Sequence, residues 1–111
     1  MRMLLLHLLP GLLLFIAGII FRTWPPKQIN WLYGFRTHYS MRDQPNWDEA
    51  NRYHPTLLIG IGMIATLAGG LSYLFVPPKL GILLVVALML VLLMGSIVLT
   101  NEHLKRKYGK W

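Results

Sequence analysis

Three long stretches of this chain carry no charge, and they decide most of what it can become. Met3 to Phe21 is a run of 19 residues, Thr56 to Val76 of 21 and Leu80 to Thr100 of 21, each without Asp, Glu, Lys or Arg. A helix rises about 1.5 Å per residue, so about 20 residues cross a hydrocarbon core of roughly 30 Å. Backbone groups in lipid must bond within their own segment, which leaves three spanning helices as the solution. The expected fold class is therefore an all-α membrane protein, a single unit over 1–111. It has spans at about 3–21, 56–76 and 80–100, a structured cytoplasmic loop at 22–54 and a basic cytoplasmic tail at 101–111. Charged residues make up 14% of the chain, against about 25% in soluble domains. That is too few to solvate a free-standing globular enzyme.

Local signals fix the ends of the runs. Arg2 opens the first run, but no small-residue cleavage site follows it, so this run reads as a retained helix and not a leader. Pro10 lies within it, where proline removes one backbone bond and tends to kink a helix. Pro77-Pro78-Lys79 stops the second run and starts the third, making the two an antiparallel hairpin. Gly62, Thr66 and Gly70 recur every four residues, and so do Ala65 and Gly69. Such small-residue rows admit a second helix closely and are a route to a homo- or hetero-oligomer. The third run is apolar nearly all round and reads as the most lipid-facing.

Three spans put the 22–54 loop and the tail on one side, with the N-terminus and the 77–79 turn on the other. Nine cations fall on the first side and two, Arg2 and Lys79, on the second. The positive-inside rule then places the N-terminus outside and the C-terminus in the cytoplasm. Trp24, Trp31, Tyr33, Tyr53, Tyr73, Tyr108 and Trp111 sit near span ends, as interfacial aromatics do. Lys105, Arg106, Lys107 and Lys110 are expected to touch anionic lipid. A folded nucleic-acid reader has no room in such a tail, so nucleic acid is not an expected partner.

The loop holds the remaining information. Asn46 followed by Glu49 reads as a capping box after Pro45. It predicts a short surface helix over Trp47–Tyr53 with Trp47, Ala50 and Tyr53 inward and Asp48, Glu49 and Arg52 outward. Pro55 would then open the second span. With no cysteine in the chain, disulfides, thiolate metal sites and cysteine nucleophiles are excluded. His38 and His54 lack ligand spacing, so neither a metal nor any other cofactor is expected. Asp48 and Glu49 diverge by about 100° on a helix, and Ser40 has no base beside it. No catalytic residue is therefore expected, and the chain reads as a non-enzyme.

The string Pro25-Pro26, Ile29-Asn30, Tyr33-Gly34-Phe35-Arg36-Thr37, Ser40-Met41, Trp47 and Ala50-Asn51 resembles the signature of the SdpI family. These are bacterial integral membrane proteins named for immunity against a secreted killing peptide. The motif match runs from Pro25 to Asn51, followed by two closing spans, and the resemblance covers essentially the whole chain as one three-span unit. It implies a protein of the bacterial inner membrane that engages a toxin peptide or a cytoplasmic regulator through the loop. It marks Asn30, Tyr33, Gly34, Arg36, Thr37, Ser40, Met41, Trp47 and Asn51 as candidate binding residues. Arg36 stands out, because a guanidinium offers a fork of donors to phosphate or carboxylate. It either binds a ligand or ties the loop to Asp48, Glu49 or helix-end carbonyls. Rival readings are an accessory subunit or scaffold of a larger membrane complex, and a lipid-head-group binder or enzyme using Arg36.

Overall fold

The computed structural model describes residues 2–109. It is all-helical, with α1 at Arg2–Thr23, α2 at Gln44–Phe75 and α3 at Pro78–Tyr108. No strand occurs among the described residues, and each helix is long and apolar enough to cross a membrane. The helices run up, down and up, with only Val76 and Pro77 between α2 and α3. Their outer faces expose a near-continuous belt of Leu, Ile, Val and Met side chains. In a membrane protein such a belt faces lipid tails, and α3 buries the fewest residues of its apolar window.

Length differences shape the molecule. At about 1.5 Å per residue, α1 with 22 residues is about 33 Å long. The 32 residues of α2 give about 48 Å, matching the 47 Å long axis of the protein. The first turns of α2 and the last turns of α3 therefore extend beyond the apolar slab at the same end. The 24–43 loop packs against that extension.

Two expectations about α2 are corrected. There is no separate surface helix over 47–53, because α2 runs unbroken through Pro55 into the apolar segment. Proline removes a donor but leaves the preceding turn intact where neighbours hold it. Here Asn51, four residues earlier, is fixed by side-chain bonds to Trp47 and Phe35. The cap is also shifted. Asp43 is the N-cap, and its carboxylate accepts from Asn46 N at 3.0 Å and Asn46 Nδ2 at 2.7 Å. Asn46 therefore sits in the first turn, and Glu49 is free of any capping duty.

The α1–α2 interface is built on glycines from both helices. A Cβ on Gly62 would lie 2.5 Å from Phe15 N, and one on Gly11 2.5 Å from Thr66 N. A Cβ on Gly18 would lie 2.8 Å from Ile59 N, and one on Gly69 would fall on the His7 carbonyl oxygen. Gly70 is different: its nearest neighbour would be Leu8 Cδ2 at 3.8 Å, an ordinary contact. The tight row is thus 62–65–69, not 62–66–70. A period of 3.6 residues steps by three as well as by four, and spacing alone does not choose between the rows. Thr66 flanks the row, with its hydroxyl on Gly62 O at 2.7 Å.

His7 is buried where all three helices meet. Its Nδ1 lies 2.6 Å from Met3 O, its Nε2 has no hydrogen-bond partner among the described residues, and the ring stands edge-on to Tyr73. Gly81 of α3 closes over it, since a Cβ there would lie 2.6 Å from His7 Nε2.

Candidate functional site

The loop is held by a chain of specific bonds that starts at Trp47. This indole is fully buried, and its Nε1–H donates to Pro26 O at 2.7 Å. One turn later, Asn51 Nδ2 donates to Trp47 O, and Asn51 Oδ1 accepts Phe35 N at 2.7 Å. Gly34, between these anchors, has φ +104°, and a Cβ there would lie 2.6 Å from Pro26 Cγ and 2.7 Å from Asn51 Oδ1. Only glycine fits both the backbone and the space. Phe35 then enters a cluster with Ala50 and Leu104, flanked by Tyr39 and Tyr108.

Polar bonds close the second half of the loop. Ser40 Oγ donates to Phe35 O and accepts Thr37 N, both at 2.8 Å. Thr37 Oγ1 donates to Asn101 Oδ1 of α3 at 2.8 Å. Arg42 donates to Tyr108 O and Gly109 O at the end of α3. The loop is thereby fixed to both α2 and α3.

Beside it lies an ion cluster that sequence reasoning missed. Glu49 is buried and accepts Arg52 Nε at 3.0 Å and Arg52 Nη2 at 2.6 Å. His103 Nε2 lies 2.6 Å and Lys107 Nζ 3.3 Å from the same carboxylate, and His103 stacks on Tyr53 at 4.0 Å. Glu49 is on the part of α2 ahead of the apolar run. Hydrogen bonding from Arg52, with His103 and Lys107 adding to it, outweighs burial and holds its carboxyl down at about 2. Asp43 is likewise lowered, by its bonds to Asn46. The expectation that Glu49 faces outward is thus corrected, whereas Asp48 is exposed. The only sequence sign was Arg52 three residues after Glu49; the α3 partners come from far along the chain.

Arg36 meets neither Asp48 nor Glu49. It donates to Trp31 O within its own loop and is otherwise exposed. Asp48 accepts from Gln44 instead. The candidate residues therefore divide. Asn30, Gly34, Ser40, Trp47 and Asn51 make the internal framework. Asn30 Oδ1 accepts Leu32 N and Tyr33 N at 2.9 Å, forming the turn over 30–33. Arg36 and Met41 instead line an open cleft of about 470 Å³ with Ile29, Trp31 and His38, and Thr37 does both, lining the cleft while its hydroxyl holds Asn101. Tyr33 belongs to neither group, and stacks on Phe21 at the end of the α1 apolar run.

The tail cations are partly turned inward. Lys105 pairs with Glu102 and lies 4.6 Å over the Tyr39 ring, and Lys107 pairs with Glu49. Arg106 is exposed, and Lys110 lies outside the described residues. Among the described residues no group of three or more His, Asp or Glu side chains is placed to hold a metal.

Three apolar helices with a polar loop docked on their protruding ends define a multi-pass membrane protein. The residues that dock the loop, Gly34, Ser40, Trp47 and Asn51 among them, fall within the string that resembles the SdpI family. The chain belongs to the SdpI/YfhL protein family, whose model matches residues 27–100. It is also similar to the "Uncharacterized protein YfhL" of Bacillus subtilis (strain 168), at 42% identity over 100 residues, covering 88% of this chain and 84% of that protein. No solved structure matches the chain.

Proposed function

We propose that this chain is an SdpI-type binding and protection protein of the bacterial inner membrane, engaging a membrane-active peptide at the Arg36 cleft. One observation carries the reading. Arg36, Thr37 and Met41 are framework-adjacent residues that nonetheless turn to an open cleft, beside the apolar Ile29 and Trp31. Guanidinium next to apolar wall suits a peptide carboxylate with its neighbouring apolar side chains. A binding role also fits Ser40, whose hydroxyl is spent on loop bonds to Phe35 and Thr37. With nine cations on the loop side, the positive-inside rule puts the cleft in the cytoplasm. The peptide met there is one already inserted and reaching the inner leaflet. A reporter fused after the C-terminus that reads periplasmic overturns this orientation.

The test is survival of cells expressing the protein when challenged with a panel of secreted, membrane-permeabilising peptides. Wild type should raise the tolerated dose of at least one peptide. Arg36→Lys should lose that protection at equal membrane abundance and equal melting temperature, because Asn30 still closes the 30–33 turn and the exposed bond from Arg36 to Trp31 O adds little to global stability. Protection by Arg36→Lys equal to wild type would sink the assignment of Arg36.

A further inference from the structure

We propose that the turn over 30–33 is an interfacial wedge, and that the cleft behind it takes an anionic phospholipid headgroup at Lys27. This inference does not rest on peptide binding. Trp31 and Leu32 are 81% and 86% exposed, which for side chains of this kind outside a spanning run calls for an apolar medium. They do not project by looseness. Asn30 Oδ1 holds Leu32 N and Tyr33 N, Asn30 Nδ2 holds Gln28 O, and Arg36 holds Trp31 O. A turn braced from both sides keeps both side chains outward.

The level of the turn follows from α1. Tyr33 stacks on Phe21 at 6.2 Å, and Phe21 is the last residue of the first apolar run. Trp24 N bonds to Ile20 O, so exposed Trp24 lies one turn beyond exposed Ile20 on the lipid-facing side of α1. Trp24, Leu32 and Tyr33 line a cleft of about 680 Å³ that opens at this boundary, together with Lys27, Gln28 and Asn30. Lys27 is the charged side chain of that lining. Arg22, Lys27 and Arg36 all belong to this region, and the acid nearest Lys27 along its other side is Asp48 of α2, which already accepts from Gln44. Apolar wedge, aromatic walls and a cation at the slab edge together match the boundary between acyl chains and anionic headgroups. An acidic soluble partner would use the cation but leave Leu32 and Trp31 without an apolar medium.

The chain has no cysteine, so Leu32→Cys takes a single spin label at a site without packing contacts to lose. Arg106→Cys supplies a control on the exposed tail. The protein is placed in nanodiscs of phosphatidylcholine with rising phosphatidylglycerol content, and label access to oxygen and to a water-soluble nickel chelate is measured. The label at 32 should favour oxygen, at a depth of roughly 5 Å, the shallow end of interfacial insertion. The label at 106 should favour nickel. Adding phosphatidylglycerol should deepen the label at 32. Lys27→Gln should need about five times as much for the same shift, the equivalent of roughly 1 kcal/mol per cation at an anionic surface. A label at 32 that favours nickel, or is shielded from both reagents by protein, overturns the wedge. A depth indifferent to phosphatidylglycerol or to Lys27→Gln overturns the headgroup site. No peptide is present in this assay, so its failure is distinct from failure of the cleft assignment.

Discussion

Replacing Gly62 and Gly70 separately by alanine discriminates sharply between two packings of the same helix. At Gly62 the new carbon would lie 2.5 Å from Phe15 N and 2.6 Å from Phe15 Cα. Ordinary carbon contacts begin at about 3.5 Å, so α1 must move by about 1 Å. The atoms it meets are backbone, and no rotamer change relieves them. Such overpacking costs about 1–3 kcal/mol, and the gain of alanine over glycine in a helix offsets roughly 0.5–1 kcal/mol of it. The net expectation is a loss of up to about 2.5 kcal/mol, with a mid-range value of about 1 kcal/mol. At Gly70 the nearest atom would be Leu8 Cδ2 at 3.8 Å, so only the helix gain remains. That variant should match wild type or gain up to about 1 kcal/mol. Thermal unfolding in a mild detergent, followed by tryptophan emission, gives the order Gly70→Ala at or above wild type and Gly62→Ala several degrees below. Equal melting of the two variants, or Gly70→Ala the weaker, would refute the 62–65–69 seat.

Further expectations concern the loop and its supports. Glu49→Gln removes the charge shared by Arg52, His103 and Lys107 and should cost on the order of 2 kcal/mol, read as a lower melting temperature at neutral pH. Because the folded carboxyl is lowered from 4.5 to about 2, its contribution is complete above pH about 4.5 and is lost as pH falls towards about 2. Wild type should therefore weaken across that window more steeply than Glu49→Gln. Trp47→Phe leaves Pro26 O without its buried donor, at about 1–3 kcal/mol, and should speed proteolysis within 24–43 before the helices melt. Gly34→Ala should destabilise by more than 1 kcal/mol on the order-of-magnitude scale of left-handed backbone plus overlap, whereas Gly60→Ala, which meets nothing within 4 Å, should not.

The spans were legible because lipid leaves a chain so few choices. An uncharged run of 21 residues ending at Pro77-Pro78 admits one reading, and the hairpin follows. Trp47 and Ala50 were legible as buried from their spacing, but not Pro26 as the acceptor of the indole. A backbone carbonyl 21 residues away has no sequence signature. The cap was misplaced because Asp43 and Asn46 are both good caps on either side of Pro45, and only the backbone at Asp43 decides. The Glu49 cluster was invisible for a different reason. It needs α3 to stay helical to Tyr108, whereas the apolar run ends at Thr100. His103 and Lys107 then reach a residue that local pattern had assigned to water.

The central place of α2 has a thermodynamic consequence. α1 and α3 each lie along α2, and come together chiefly where Gly81 covers His7. Gly62 on one seam and Glu49 on the other are 13 residues apart, about 20 Å along the axis. They share no partner, so the two seams act as independent terms. Gly62→Ala combined with Glu49→Gln should destabilise by the sum of the single effects to within about 0.5 kcal/mol, while pairs chosen around His7 and Gly81 should not add.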